Sequence, residues 1–221
     1  MKHRILFSII LLGAMSVVPL SAEPPTFLAT SDPTVAELGP HHRVWQRTSQ
    51  FRTSSGKIVT RTNSYVELAT GLHYQKDGQW LESKEAIDLF EGGAIARQGQ
   101  HQVIFAPNIN TAGAIDLLTP DGKRFRSHIL GLAYTDAATG KAAMIAEIKD
   151  SIGQLVAPNQ IIYPDAFTDL KADIRYTYTK AGFEQDVILR EEPPSPLVYG
   201  LNPATTRLEV YTEFLDPPTP S

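Results

Sequence analysis

Apolar and polar side chains alternate with a period of two between Asp173 and Thr179. Ile174, Tyr176 and Tyr178 fall on one side, and Asp173, Arg175, Thr177 and Thr179 on the other, the pattern of a strand with one buried face. A second run, Phe183 to Leu189, follows after a Gly turn. With Thr179–Gly182 as a four-residue loop, Tyr178 faces Phe183, Tyr176 faces Gln185 and Ile174 faces Val187 on the apolar side. Thr177 then meets Glu184, and Arg175 meets Asp186. An exposed pair of that kind contributes only about 0–1 kcal/mol, enough to favour one register and little else.

The run Gly71 to Ser83, GLHYQKDGQWLES, also reads as a hairpin, and two registers fit it. A three-residue loop, Lys76 to Gly78, sets Tyr74 opposite Trp80. A two-residue Asp77-Gly78 loop sets Tyr74 opposite Leu81 and sends Trp80 to the other face. From His41 onward the same texture recurs: short runs rich in Val, Ile, Thr, Tyr and Phe, separated by turn sequences such as SSGK (54–57), KDG (76–78), TPDG (119–122) and ATGK (138–141). Such spacing predicts an all-β fold, a mainly antiparallel β-sandwich built from hairpins with few or no long helices. No repeat of fixed period is visible, which argues against a propeller or solenoid. Residues 23–40 are rich in Pro, Thr and Ser without sustained periodicity and read as a flexible tether. The expected organisation is therefore a leader at 1–22, the tether at 23–40, a sandwich-like domain at 41–215 and the start of a Pro-rich linker at 216–221.

The leader assignment rests on Lys2 and Arg4, the apolar run Ile5 to Val18 and the small-residue end Leu20-Ser21-Ala22, the three parts of a secretory signal peptide. That run is interrupted by Pro19 and too short to span a membrane, which takes about 20 apolar residues. Export follows as an expectation, to the cell exterior, cell surface or periplasm. The sequence holds no cysteine, so neither a lipid anchor on cysteine nor a disulfide contributes, and stability has to come from an apolar core. At 42% hydrophobic and 20% charged residues, the composition is sufficient for one. The net charge of −4 gives no support for nucleic-acid binding. Charge is nevertheless uneven. Arg43, Arg47, Arg52, Lys57 and Arg61 lie in a stretch without acids, an arrangement that fits either solvated strands or a surface for an anionic polymer.

Chemistry-bearing patterns are few. Glu184 and Asp186 share a strand face at roughly 7 Å, close to the carboxyl separation of glycosidases. A sandwich-type glycosidase would carry a third acid further along that strand, where Ile188 and Leu189 stand here, so no catalytic residue is assigned. His41 and His42 are adjacent and would point to opposite faces of a strand, and His73, His101 and His128 are scattered, so no zinc site is expected. Asp165, Asp169 and Asp173 recur every fourth residue but supply too few oxygens for calcium; a strand is expected from near Ala172. Neither a metal nor an organic cofactor is anticipated. Tyr74 and Trp80 are the candidate ligand-binding residues, because exposed aromatic rings stack on the apolar faces of sugars; the competing reading buries them in the core.

The run Ile161 to Leu189 resembles a segment of the N-terminal, non-repeat regions of very large secreted bacterial proteins of the RHS/YD-repeat type. The matching features are Tyr163-Pro164, Asp173-Ile174-Arg175-Tyr176, the turn at Gly182 and the strand Glu184 to Leu189, with Phe183-Glu184 where that segment has Lys-Glu. The resemblance implies a β-rich module of a multidomain exported protein and carries over no catalytic residue. The Pro-rich stretches EEPPSPLVYGLNP and DPPTPS fit a chain that continues into further domains. The expected function is a non-catalytic structural or binding module, the N-terminal part of a longer exported polypeptide. The alternative is a carbohydrate-binding accessory domain or carbohydrate-active enzyme. Expected partners are downstream domains of the same polypeptide or an extracellular polysaccharide, with no nucleic acid and no membrane span after leader removal.

Overall fold

Short antiparallel strands closed by tight turns supply nearly all the regular structure of residues 23–219, which the computed structural model describes. The expected leader, 1–22, and the last two linker residues lie outside the described residues. No described helix is long and apolar enough to cross a membrane. The chain divides into two compact units: a smaller one of residues up to Thr34 with Gln46–Ser64, and a larger one of Val35–Trp45 with Tyr65–Ser221.

The smaller unit corrects the expected tether. Residues Thr26–Thr30 form strand β1, which pairs with the far half of β3 (His42–Arg52) through Phe27↔Phe51 and Thr30↔Ser49; Thr34–Leu38 form β2, which from Val35 on belongs to the larger unit. Every side chain of β1 is exposed. A strand wet on both faces needs no alternation of apolar and polar residues, and its partner is remote in sequence, so periodicity does not reveal it. The boundary expected at residue 41 is displaced for the same reason, since 46–64 join the first strand. Within this unit Phe27 meets Phe51 edge-on at 5.8 Å between ring centres, and the Arg61 guanidinium lies 5.1 Å over the Phe51 ring. These contacts offset part of the cost of ordering an exposed ribbon.

The larger unit is a sandwich of two sheets. One runs β12 (Ala142–Glu147), β11 (Arg124–Asp136), β10 (Ile115–Leu118), β9 (Gln102–Phe105), β8 (Gly93–Ala96), β7 (Asp88–Phe90), with β17 (Thr206–Leu215) along the other side of β11. The second runs β13 (Gln154–Ala157), β14 (Gln160–Tyr163), β15 (Ala172–Tyr178), β16 (Phe183–Leu189). Their inner faces share one apolar core. Val103, Phe105, Ile115, Ile129 and Leu132 come from the first sheet, and Ile161, Tyr163, Ile174, Tyr176 and Tyr178 from the second. The β15–β16 register is the one the alternation and loop length predict, from Tyr178↔Phe183 through Arg175↔Asp186 to Ile174↔Val187. Burial also follows the alternation, since Tyr176 and Tyr178 are buried while Arg175 and Thr177 are only partly so.

Candidate functional site

The hairpin of β5 (His73–Lys76) and β6 (Gln79–Glu82) stands apart from both sheets of the sandwich as a two-stranded ribbon. Its turn is the two-residue one. Asp77 and Gly78 both adopt left-handed backbone, φ 51° and 76°, the tight-turn geometry that Asp-Gly favours because its twist matches the strands. The ladder is then Tyr74↔Leu81, Gln75↔Trp80 and Lys76↔Gln79. Tyr74 and Trp80 are therefore not a cross-strand pair. They project from opposite faces of the ribbon, and each is half-buried and absent from the sandwich core.

Both border an open cleft of about 410 Å³ that is also lined by His41, Gln75, Gln100 and Gln102. A second concavity of about 500 Å³ shares Tyr74, Gln75 and Gln102 and adds Lys76, Arg97 and Gln98. The walls are held by buried polar links. Gln100 Nε2 donates to the carbonyls of Pro40 (2.7 Å) and His73 (2.9 Å), tying the hairpin base to the segment before β3. His73 is only 2% exposed, and its Nδ1 lies 2.8 Å from the Gly39 carbonyl. That oxygen can only accept, so Nδ1 carries the proton and Nε2 accepts from Arg43 Nη2 at 3.3 Å. Arg43 also approaches Glu82 at 3.4 Å.

Gly71 closes the base of the hairpin. Its N–H donates to His41 Nδ1 at 3.0 Å, its φ is +70°, and a Cβ there would overlap the backbone carbonyl oxygen of Lys180. Left-handed backbone alone costs an L-residue about 1–2 kcal/mol, and the overlap adds to it. Gly71→Ala should therefore lower stability by at least about 2 kcal/mol in denaturant unfolding, whereas Gly78→Ala, which has open space, should show only the backbone cost.

Sequence reasoning overlooked a further aromatic pair, which lines neither concavity. Trp45 and Tyr65 stack across β3 and β4 (Ile58–Leu68), 6.1 Å between centres and 16° apart in plane. Arg43 lies 5.3 Å over the Trp45 ring, and Trp45 Nε1 donates to Glu67 at 2.9 Å. Its signal in the sequence is the alternation of Arg43, Trp45 and Arg47, which sets the ring on the same strand face as two cations. Arg43 is thus engaged by His73, Glu82 and the Trp45 ring, not displayed as part of a free basic stripe.

The acidic candidates lie elsewhere. Asp186 accepts two bonds from Arg175, at 2.9 and 3.1 Å, and Glu184 lies opposite Thr177. Asp165 and Asp169 sit at single left-handed positions, not on a helix. Asp165 accepts from Lys149 (2.8 Å) and Arg190 (3.1 Å), and the Lys149 bond above all holds its carboxyl below the usual range. Asp173 accepts from the Asp165 N–H at 2.7 Å and pairs with Arg190 at 3.0 Å. Burial lowers the pKa of His101, which packs 4.8 Å from the Tyr178 ring.

No family model, curated protein or solved structure matches the chain. Functional assignment here rests on geometry.

Proposed function

We propose that this protein is a non-catalytic binding module of an exported polypeptide, and that the cleft around the β5–β6 hairpin holds a neutral polysaccharide. The observation that carries the reading is the lining of the two concavities: Tyr74 and Trp80 stand beside Gln75, Gln98, Gln100 and Gln102, and no carboxylate is among the described lining residues. An amide both donates and accepts, which matches hydroxyl groups that do the same. A half-exposed ring supplies a flat apolar surface for the face of a sugar, and the cleft volume is in the range of ordinary ligand sites. Hydrolysis would call for two carboxyl groups roughly 5–9.5 Å apart across the bond to be broken, and the lining supplies none. The leader-like residues 1–22 support export as part of the same reading. The resemblance of Ile161–Leu189 to exported RHS-type proteins points the same way.

The test is binding of the purified protein to a polysaccharide array, alongside Tyr74→Ala and Trp80→Ala. Because neither ring belongs to the sandwich core, both variants should keep the circular-dichroism spectrum and melting profile of the parent. Each should lose roughly tenfold or more in affinity, the size expected for a ring that contributes at least 1.4 kcal/mol. Retained affinity in both variants, or no binding to any neutral polysaccharide, would sink the assignment.

A further inference from the structure

We propose that the protein forms a two-fold dimer by antiparallel pairing of β17 with β17 of a second copy. Among the described strands, β17 pairs with β11 alone, so its other side is an open edge from Thr206 to Leu215. The ladder with β11 contains an irregularity between Ile129 and Gly131, which falls in β11, while β17 runs on without a break. Of the devices that blunt an edge, β17 lacks proline, a bulge and shortness, but it does carry charged side chains, Arg207, Glu209 and Glu213. Of the other edge strands, β7 and β13 have three and four residues and β12 and β16 six and seven, against ten in β17.

One row of β17 is apolar and uncovered. Leu208 lies opposite Tyr134, Val210 opposite Leu132 and Phe214 opposite Ser127, so this row continues the inner face of the first sheet, where Leu132 and Tyr134 are in the core. Leu208 and Val210 are each 38% exposed and Phe214 is 54% exposed. The other row carries Arg207, Glu209, Tyr211, Glu213 and Leu215; Arg207 lies opposite the uncharged Thr135, Glu209 accepts from Thr135 Oγ1 at 2.7 Å, and Glu213 lies 3.6 Å from His128 Nε2.

Charge selects both the partner and the register. In a dimer whose axis is perpendicular to the sheet, the inner face of one copy continues as the inner face of the other, so only residues of like parity meet. Two registers keep nearly the whole strand paired. Centring on Tyr211 sets Glu209 opposite Glu213 twice, and like charges directly opposite destabilise a ladder. Centring on Val210 sets Arg207 opposite the second copy's Glu213 twice. In that register the inner-face rows also join, with Val210 against Val210 at the axis and Leu208 and Phe214 each against a threonine, Thr212 and Thr206. The edge is self-complementary in one register, as an isologous interface has to be.

The experiment is sedimentation velocity on the purified protein across a concentration series, with Arg207→Glu and Glu213→Arg, singly and combined. The parent should show a reversible dimer. Each single variant turns two attractive pairs into two repulsive ones, which should raise the dimer dissociation constant on the order of tenfold to a hundredfold. The double variant should restore the dimer, and an equimolar mixture of the two single variants should form a heterodimer. Both substituted positions are exposed and the one contact given up is that of Glu213 with His128 at 3.6 Å, so the fold of the monomer, followed by circular dichroism, should be kept. A parent that stays monomeric at every concentration would overturn the proposal, as would a dimer that neither single variant weakens. Failure of both the double variant and the mixture to dimerise would overturn the register.

Discussion

Raising the pH from 10 to 11 should remove roughly 3 kcal/mol of stability from the larger unit, because three tyrosines are buried in their neutral form. Tyr163, Tyr176 and Tyr178 are each at most 1% exposed. Burial holds all three above the ordinary value of 10, Tyr178 at about 12 and the other two higher still. Their hydroxyls donate to carbonyl oxygens, Tyr163 to Ala106 at 2.6 Å, Tyr178 to His101 at 2.8 Å and Tyr176 to the Gln185 amide oxygen at 3.0 Å. A phenolate there would lose its donor and face a lone pair. Below pH 10 both folded and unfolded chains keep these protons, and the stability is fully present. Above it the unfolded chain releases protons that the folded chain retains, so stability falls by roughly 1.4 kcal/mol per tyrosine per pH unit until the folded value is reached. Ultraviolet titration of tyrosinate should show these three of the eight tyrosines ionising only as the far-ultraviolet signal of the fold is lost. A single smooth titration of all eight near pH 10, with the fold intact, would contradict the packing described.

The second large effect is expected at Phe105. Its side chain is fully buried on β9, with Tyr176 and Phe183 of the opposing sheet each at 5.9 Å between ring centres and stacked on one another at 5.3 Å. Phe105→Ala removes the ring that joins the two sheets and leaves a cavity that β-strands fixed by ladders on both sides cannot collapse into. The expected cost is about 3–5 kcal/mol in denaturant unfolding, the usual range for a buried phenylalanine. Phe27→Ala, whose parent ring is 57% exposed on the ribbon of the smaller unit, should cost about 1 kcal/mol or less. A Phe105→Ala cost no larger than that of Phe27→Ala would mean that the sheets are not packed through this ring.

The contrast between those two phenylalanines also separates what was legible from what was not. Around Tyr176 the chain alternates cleanly, because one face of the strand is buried and the other is wetter, and the four-residue loop before Phe183 leaves one register that keeps the faces apart. Around Phe27 both faces are wet, so the same strand geometry leaves no trace in the pattern. The candidate site falls between these cases. Tyr74 and Trp80 were identifiable as aromatics on a hairpin, but two loop lengths fitted. The left-handed backbone at both Asp77 and Gly78 selects the shorter one and turns the rings to opposite faces. Gln75 and Gln102 gain meaning only when the hairpin is set against the segment from Arg97 to Gln102, and nothing in a glutamine's own neighbourhood marks it as part of a cleft.

The all-β class and the register of the Asp173–Leu189 hairpin were determined by the sequence itself, since side-chain period, turn chemistry and loop length act within a dozen or so residues. Tertiary structure alone decided that β1 pairs with the far half of β3, that Gln100 staples the β5–β6 hairpin to Pro40, and that β17 lies along β11 with its apolar row uncovered. Each of these joins residues remote in the chain. Such pairings are chosen by which faces and edges the rest of the fold leaves free, and no local pattern encodes that choice.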